Sequence, residues 1–170
     1  PRSTLYPYTS LFRSNGNGKT GGTMSNSSHT YDQAKNLSTN QYTKTGYTFT
    51  SWNTKADGSG TGYVDEKEVK NLTSTQGAKI NLYAQWTPNT YTVKYNGNHA
   101  TSGTTADTTH TYDVSKQLRE NDYLRDGWKY MGWNTNADGT GTDYADQQSV
   151  KNLASTNGAV VNLYAQWNKA

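Results

Sequence analysis

The stretch from Gly46 to Trp86 is written a second time, without insertion or deletion, from Gly127 to Trp167. Asn53-Thr54, Ala56-Asp57-Gly58, Val69-Lys70-Asn71-Leu72 and Asn81-Leu82-Tyr83-Ala84-Gln85-Trp86 return as Asn134-Thr135, Ala137-Asp138-Gly139, Val150-Lys151-Asn152-Leu153 and Asn162-Leu163-Tyr164-Ala165-Gln166-Trp167. Tandem copies of about 80 residues are self-contained modules in series, because a unit of that size already closes a small core. Two domains are therefore expected, residues 1–87 and 88–170, although 170 residues would by length alone read as one. A piece of an array is expected to serve spacing or contact rather than chemistry.

The apolar fraction is 31%, below the usual range of about 45–50% for a globular domain. Charged residues are also sparse at 17%, which is not the composition of a disordered acidic or basic tail. Fourteen Tyr and five Trp offset the shortage of aliphatics, since each ring buries a large area and keeps a polar tip for the surface. The absence of Cys excludes a disulfide, a thiolate zinc site and a cysteine nucleophile, and it leans toward a bacterial source. A net charge of +3 without a Lys/Arg cluster argues against nucleic-acid binding. No apolar run is long enough to span a membrane, and the first residues lack the pattern of a signal peptide. The ends at Pro1 and Ala170 read as cuts from a longer chain, in which any signal would lie outside this segment.

Period-two alternation predicts the strands. Tyr91, Val93 and Tyr95 share one face, and Asn96-Gly97-Asn98 then turns the chain. The matching strand in the first module is read as Tyr8 to Phe12, with Arg13-Ser14 as a two-residue gap before Asn15-Gly16. Gly/Thr/Ser-rich loops follow, Lys19 to Ser28 and Ala100 to Thr109, leading to short strands at His29 to Asp32 and His110 to Asp113. Gln33 to Asn40 and Val114 to Asn121 carry only Leu37 and Leu118 as anchors, which suits a short helix or an irregular crossover. A third strand runs from Gly46 to Trp52 and from Gly127 to Trp133. Its Trp52 and Trp133 fall on the parity opposite Phe49 and Tyr130, so either a bulge returns them to the core or they face outward. Asp65 to Leu72 and Asp146 to Leu153 suit one or two helical turns behind an Asp cap. Ile80, Leu82, Ala84 and Trp86, with Val161, Leu163, Ala165 and Trp167, mark a central last strand. Thr87-Pro88-Asn89-Thr90 is a linker short and stiff enough to predict a semi-rigid rod.

An opening Tyr-Thr-Val-x-Tyr with Asn-Gly, then Gly-Tyr-x-Phe-x-x-Trp, a Gly-rich turn and a closing Leu-Tyr-Ala-Gln-Trp resemble the internalin-type B repeat, also called the Listeria-Bacteroides repeat. The likeness covers both modules nearly end to end. It implies an α+β fold of two β-grasp-like, ubiquitin- or SUMO-like modules, each strand-rich with one or two short helices. It also implies an extracellular place on the bacterial cell surface or cell wall, and a non-catalytic stalk or adhesin role. Ser51 departs from the Gly found at Gly132.

The residues offer several chemical readings, each with a plainer one beside it. Asn134 to Gly139 mimics the opening of an EF-hand loop, but Ala145 stands where a bidentate Glu is wanted and Lys55 occupies a ligand position in the first module. A Gly-rich hairpin turn explains the same residues. His29 and His110 are equivalent, with Asp32 or Asp113 nearby and no second His at ligand spacing; His99 stands alone in a turn. Glu66, Glu68 and Glu120 are not duplicated, so no acid/base pair belongs to a whole module. Lys70-Asn71 and Lys151-Asn152 suggest isopeptide cross-linking, yet sequence neighbours cannot form that bond with each other. Asn26, Asn36 and Asn71 fit the N-glycan acceptor pattern, as chance predicts in a chain rich in Asn, Ser and Thr. Four Trp recur as equivalent pairs, as structural residues would, whereas Trp128 replaces Tyr47 and is the one Trp with an individual position.

The sequence therefore assigns no catalytic, cofactor-binding or metal-binding residue. Its expected function is a semi-rigid spacer and adhesion accessory, a monomer within a longer array, with no enzymatic activity. The alternative is a module binding a host glycoprotein or polysaccharide through the variable loops or Trp128.

Overall fold

Alternation at Ile80, Leu82, Ala84 and Trp86 places one row of side chains on one face, and a strand so patterned can be flanked on both edges. The computed structural model, which describes residues 7–170, puts that strand third in a five-stranded sheet. The first unit contains β1 (Thr9–Asn15), β2 (Ser27–Thr30), β3 (Lys35–Asn36), β4 (Tyr47–Asn53), β5 (Gly62–Tyr63), β6 (Glu68–Val69) and β7 (Lys79–Pro88). Its sheet order is β2-β1-β7-β4-β5, and β3 pairs with β6 in a separate two-stranded ribbon. The second unit repeats this with β8 (Thr90–Asn96), β9 (Thr108–Thr111), β10 (Lys116–Gln117), β11 (Trp128–Asn134), β12 (Asp143–Tyr144), β13 (Ser149–Val150) and β14 (Val160–Lys169). There the order is β12-β11-β14-β8-β9, with a β10-β13 ribbon. The chain divides into these two compact units between Thr87 and Pro88, and each closes its own core.

No helix occurs among the described residues, which corrects the α+β, β-grasp-like expectation. A β-grasp needs a helix laid across its sheet, and the segments expected to supply one are bent out of helical geometry. Glu66 and Asn71 have φ of 56° and 55°, and Gln147 and Asn152 have 55° and 57°, so a left-handed residue bounds each short run on both sides. The intervening residues pair as extended ribbons instead, Lys35 opposite Val69 and Lys116 opposite Val150. Asp65 does not cap a helix; its carboxylate accepts the Asn40 backbone N–H at 3.1 Å. Leu37 and Leu118 are buried as the crossover reading required, at 4% and 2% exposure.

The opening strands also differ from their sequence reading. In the first unit Phe12 lies opposite Ile80 in the parallel β1-β7 pair, and in the second Val93 lies opposite Val161 in β8-β14. Phe12 thus corresponds to Val93 and Asn15 to Asn96, at the same constant offset as the rest of the chain. No two-residue gap exists: the apparent one came from matching Tyr8 with Tyr91, whereas Ser10 and Ser14 hold the places of Tyr91 and Tyr95.

Those two exchanges reshape one core. Tyr95 packs on Trp133 at 4.9 Å between ring centroids, pairs its hydroxyl with Thr108 Oγ1 at 3.1 Å and accepts the Arg119 N–H at 2.9 Å. Tyr91 stacks on His110 and accepts the Leu153 N–H at 3.3 Å. In the first unit Phe12 turns its larger ring onto His29, while Leu72 becomes an exposed hydrophobic residue where Leu153 packs on the core.

A bulge settles the parity of Trp133. The β11-β14 register shifts between Tyr130 and Gly132, and Trp133 returns to the interior with 0% exposure. Trp52 is equally enclosed in the first unit.

Candidate functional site

The polar residues that invite a chemical reading are occupied in shaping turns. Asn134 is fully buried, and its Oδ1 accepts the backbone N–H groups of Asn136 at 2.7 Å and Gly141 at 3.0 Å. Its Nδ2 donates to Gly139 O and to Asp143 Oδ1. Asn53 makes the same backbone bonds to Lys55 and Gly60. Asp138 Oδ1 accepts from the Thr140 hydroxyl and N–H, as Asp57 does from Ser59, and these hydrogen bonds hold both carboxyls below the usual Asp range. The oxygens that mimicked the start of a calcium loop are therefore turned into their own hairpin. Among the described residues no group of three His, Asp or Glu is placed to hold a metal.

His29 and His110 lie inside the sheet edge. His110 pairs through Nε2 with Thr108 Oγ1 at 2.9 Å, and His29 with Ser27 Oγ at 3.2 Å. Burial lowers both pKa values, with Lys35 and Lys116 adding a smaller push in the same direction. Their expected neighbours Asp32 and Asp113 are engaged elsewhere, each in a reciprocal pair with Asn71 or Asn152. Asp32 and Asn71 are both exposed, unlike the enclosed acid an isopeptide bond needs. His99 is exposed in a turn. Glu66 accepts the Thr39 hydroxyl. The structure gathers none of these groups into an acid/base pair.

The closing Trp of each module is structural. Trp86 Nε1 donates to Gly16 O and Trp167 Nε1 to Gly97 O, both at 2.9 Å, so the last strand fastens the Asn-Gly turn that follows the first. Asn17 and Asn98 reinforce this junction: each Nδ2 donates to a carbonyl in the Gly-rich hairpin, Ala56 or Ala137, and to one in the central strand, Ala84 or Ala165. A model of the Listeria-Bacteroides repeat domain matches residues 8–85 and again residues 91–166. The chain belongs to that family.

Both Listeria-Bacteroides repeats span most of their units, and curated relatives extend the likeness. A protein named putative Gly-rich membrane protein, from Evansella cellulosilytica, is 36% identical over 127 residues, covering 73% of this chain and 14% of its own length. A second from the same organism, named putative membrane protein, is 32% identical over 129 residues, covering 73% of this chain and 17% of its own. The chain thus spans about a seventh of the first relative's length. No solved structure matches it. No helix of the described residues is long and apolar enough to cross a membrane.

Two surface features remain. Trp128 is 37% exposed, and the Arg125 guanidinium lies 3.9 Å from its ring centroid; in the first repeat Lys44 lies 4.2 Å from that of Tyr47. A cation on a ring at both corners points to a shared way of covering the aromatic. The second feature, Lys19 over Tyr42, escaped sequence reasoning because nothing in the spacing shows that residues so far apart meet. The contrast of Lys19 with Ala100 at equivalent positions was the available signal.

Proposed function

We propose that the two repeats are a non-catalytic spacer of a bacterial cell-surface protein, a semi-rigid stalk that also serves adhesion by presenting a distal domain. The observation that carries this reading is the commitment of the polar groups: Asn53, Asn134, Asp57 and Asp138 are bonded within their own turns. A module whose polar chemistry is spent on its own turns offers strength rather than reactivity. Membership of a repeat family and the membrane-protein names of two longer relatives agree with a place at the cell surface. Between β7 and β8 only Asn89 lies outside a strand, and its Nδ2 donates to Ser155 O at 2.8 Å, within the second unit.

Small-angle scattering from the purified chain tests the proposal. An elongated particle whose profile one rigid shape fits is the expected result. A profile requiring an ensemble of freely hinged modules would remove the stalk reading.

A further inference from the structure

Lys19 and Ala100 hold the same place in two closely matched turns. In the first repeat the Lys19 side chain folds over the Tyr42 ring, with Nζ 4.7 Å from the centroid, and donates a hydrogen bond to the Gly22 carbonyl. Its stem passes Gly16 so closely that a Cβ there would lie 2.5 Å from Lys19 Cδ. Tyr42 beneath is only 7% exposed. It is held by its hydroxyl, which donates to Ser14 O at 2.9 Å, and by edge contact with Trp52 at 6.2 Å. The ammonium thus satisfies itself on a ring face and one carbonyl, a combination suited to a compact cation with donors to spare.

The second repeat keeps the ring, its anchors and the turn of this receptor without the lysine, and has His99 and Ser102 on the groove where the first has Gly18 and Gly21. Tyr123 donates to Tyr95 O at 2.9 Å and meets Trp133 at 6.4 Å, as Tyr42 does with its partners. The turn closes by the same backbone bond, Ala100 N–H to Gly97 O at 3.1 Å against Lys19 N–H to Gly16 O at 3.1 Å. Gly103 and Gly22 share left-handed φ values of 82° and 79°. With Ala100 in place of Lys19, the Tyr123 ring is half-buried rather than buried. It lines an open groove of about 380 Å³ together with Asn96, Asn98, His99 and Gly103. Charge shifts in the same direction: Gln41 and Thr45 are replaced by Asp122 and Asp126. Asp122 precedes the ring, and its backbone lies against Gly103. Asp126 bonds through its N–H to Thr101 Oγ1, on the groove's wall.

We propose that this groove of the second repeat is a receptor for a primary ammonium group, the lysine side chain of a partner protein, seated over Tyr123 as Lys19 is seated over Tyr42. The ammonium donates to the Gly103 carbonyl, and Asp122 and Asp126 favour the positive charge. This is independent of the spacer reading, since a flexible pair of modules would carry the same groove.

The test is amide NMR of the full chain titrated with Nα-acetyl-lysine-N-methylamide and with n-butylammonium. Both are expected to shift Ala100, Gly103 and Tyr123 with dissociation constants in the millimolar range, and to leave Gly22 and Tyr42 unmoved. The Nε-acetylated lysine derivative, neutral and without the ammonium, is expected to shift none of them. Ala100→Lys supplies the ligand in cis and should weaken binding by at least about tenfold, while Lys19→Ala should open a second site at Tyr42. No shift at saturating lysine derivative, or shifts unchanged in Ala100→Lys, would overturn the proposal. Saturation by glucosamine without response to either alkylammonium would likewise overturn it, by moving the ligand to amino sugars.

Discussion

Phe12 lies flat on His29, with ring centroids 3.9 Å and planes 12° apart, in the strand position whose counterpart in the second repeat is the smaller Val93. There the imidazole of His110 is covered by Tyr91 instead, at 5.4 Å. The extra ring at Phe12 stands in for one of the two tyrosine rings whose places Ser10 and Ser14 hold, and the first core lacks the hydroxyl anchors that Tyr91 and Tyr95 supply to the second.

Thermal or urea unfolding of the chain is therefore expected in two steps, the repeat with Ser10 and Ser14 first. Tyr95→Ser should cost the second repeat about 3–5 kcal/mol, because it removes a buried ring and leaves the Arg119 N–H without its acceptor. Calorimetry checks this by the upper transition moving toward the lower. A single unmoved transition would contradict it.

Stability should fall on mild acidification. Burial depresses the pKa of His29 and His110 below 6.5, so above that value the imidazoles are neutral whether the chain is folded or not, and stability is complete. As pH drops through 6.5 the unfolded chain takes up protons that the folded one resists, and stability is lost until the folded pKa is reached. The buried His110 Nδ1 has no hydrogen-bond partner to receive a second proton's bond. Each histidine contributes a slope of up to about 1.4 kcal/mol per pH unit in that window. Denaturant midpoints at about pH 7.5 and about pH 5.5 measure it, and His110→Phe should flatten the response of the second repeat.

Gly132 has φ of 137° at the β11 bulge, and a Cβ there would lie 2.9 Å from Tyr144 O. Gly132→Ala is expected to cost about 1–3 kcal/mol through backbone strain and that clash. Ser51, its counterpart, has no positive φ, so Ser51→Ala should be close to neutral. Paired urea titrations of the two variants distinguish the sites.

Asn98 ties the Gly-rich hairpin to the central strand through Ala137 O and Ala165 O, both at 2.8 Å. Asn98→Ala should cost about 2–3 kcal/mol, since two carbonyls lose their donor and a residue with φ of 46° loses its tolerance for that conformation. Hydrogen exchange in residues 135–142 is expected to quicken more than in β8. Equal acceleration throughout would show that Asn98 does not act as this local tie.

The repeat, the central strand and the burial of Leu37 and Leu118 were legible because they depend on periodicity and on copies agreeing with each other. The Trp133 bulge was legible as one of two alternatives, since a parity conflict admits only a bulge or an outward-facing ring. The helices expected at Asp65 to Leu72 and Asp146 to Leu153 failed for a physical reason. A three-residue apolar interval is shared by one helical turn and by a bent ribbon, and left-handed Glu66 and Asn71 choose the ribbon.

Order along the chain thus determined by itself that two equivalent modules exist, which residues recur, and that no cysteine chemistry takes place. Tertiary structure alone decided which aromatic covers which histidine, how β1 aligns with β8, and that Lys19 closes a groove its counterpart leaves open. The reason is that periodicity encodes which face a side chain takes within its own strand, whereas contacts between distant turns arise only once the strands between them have paired.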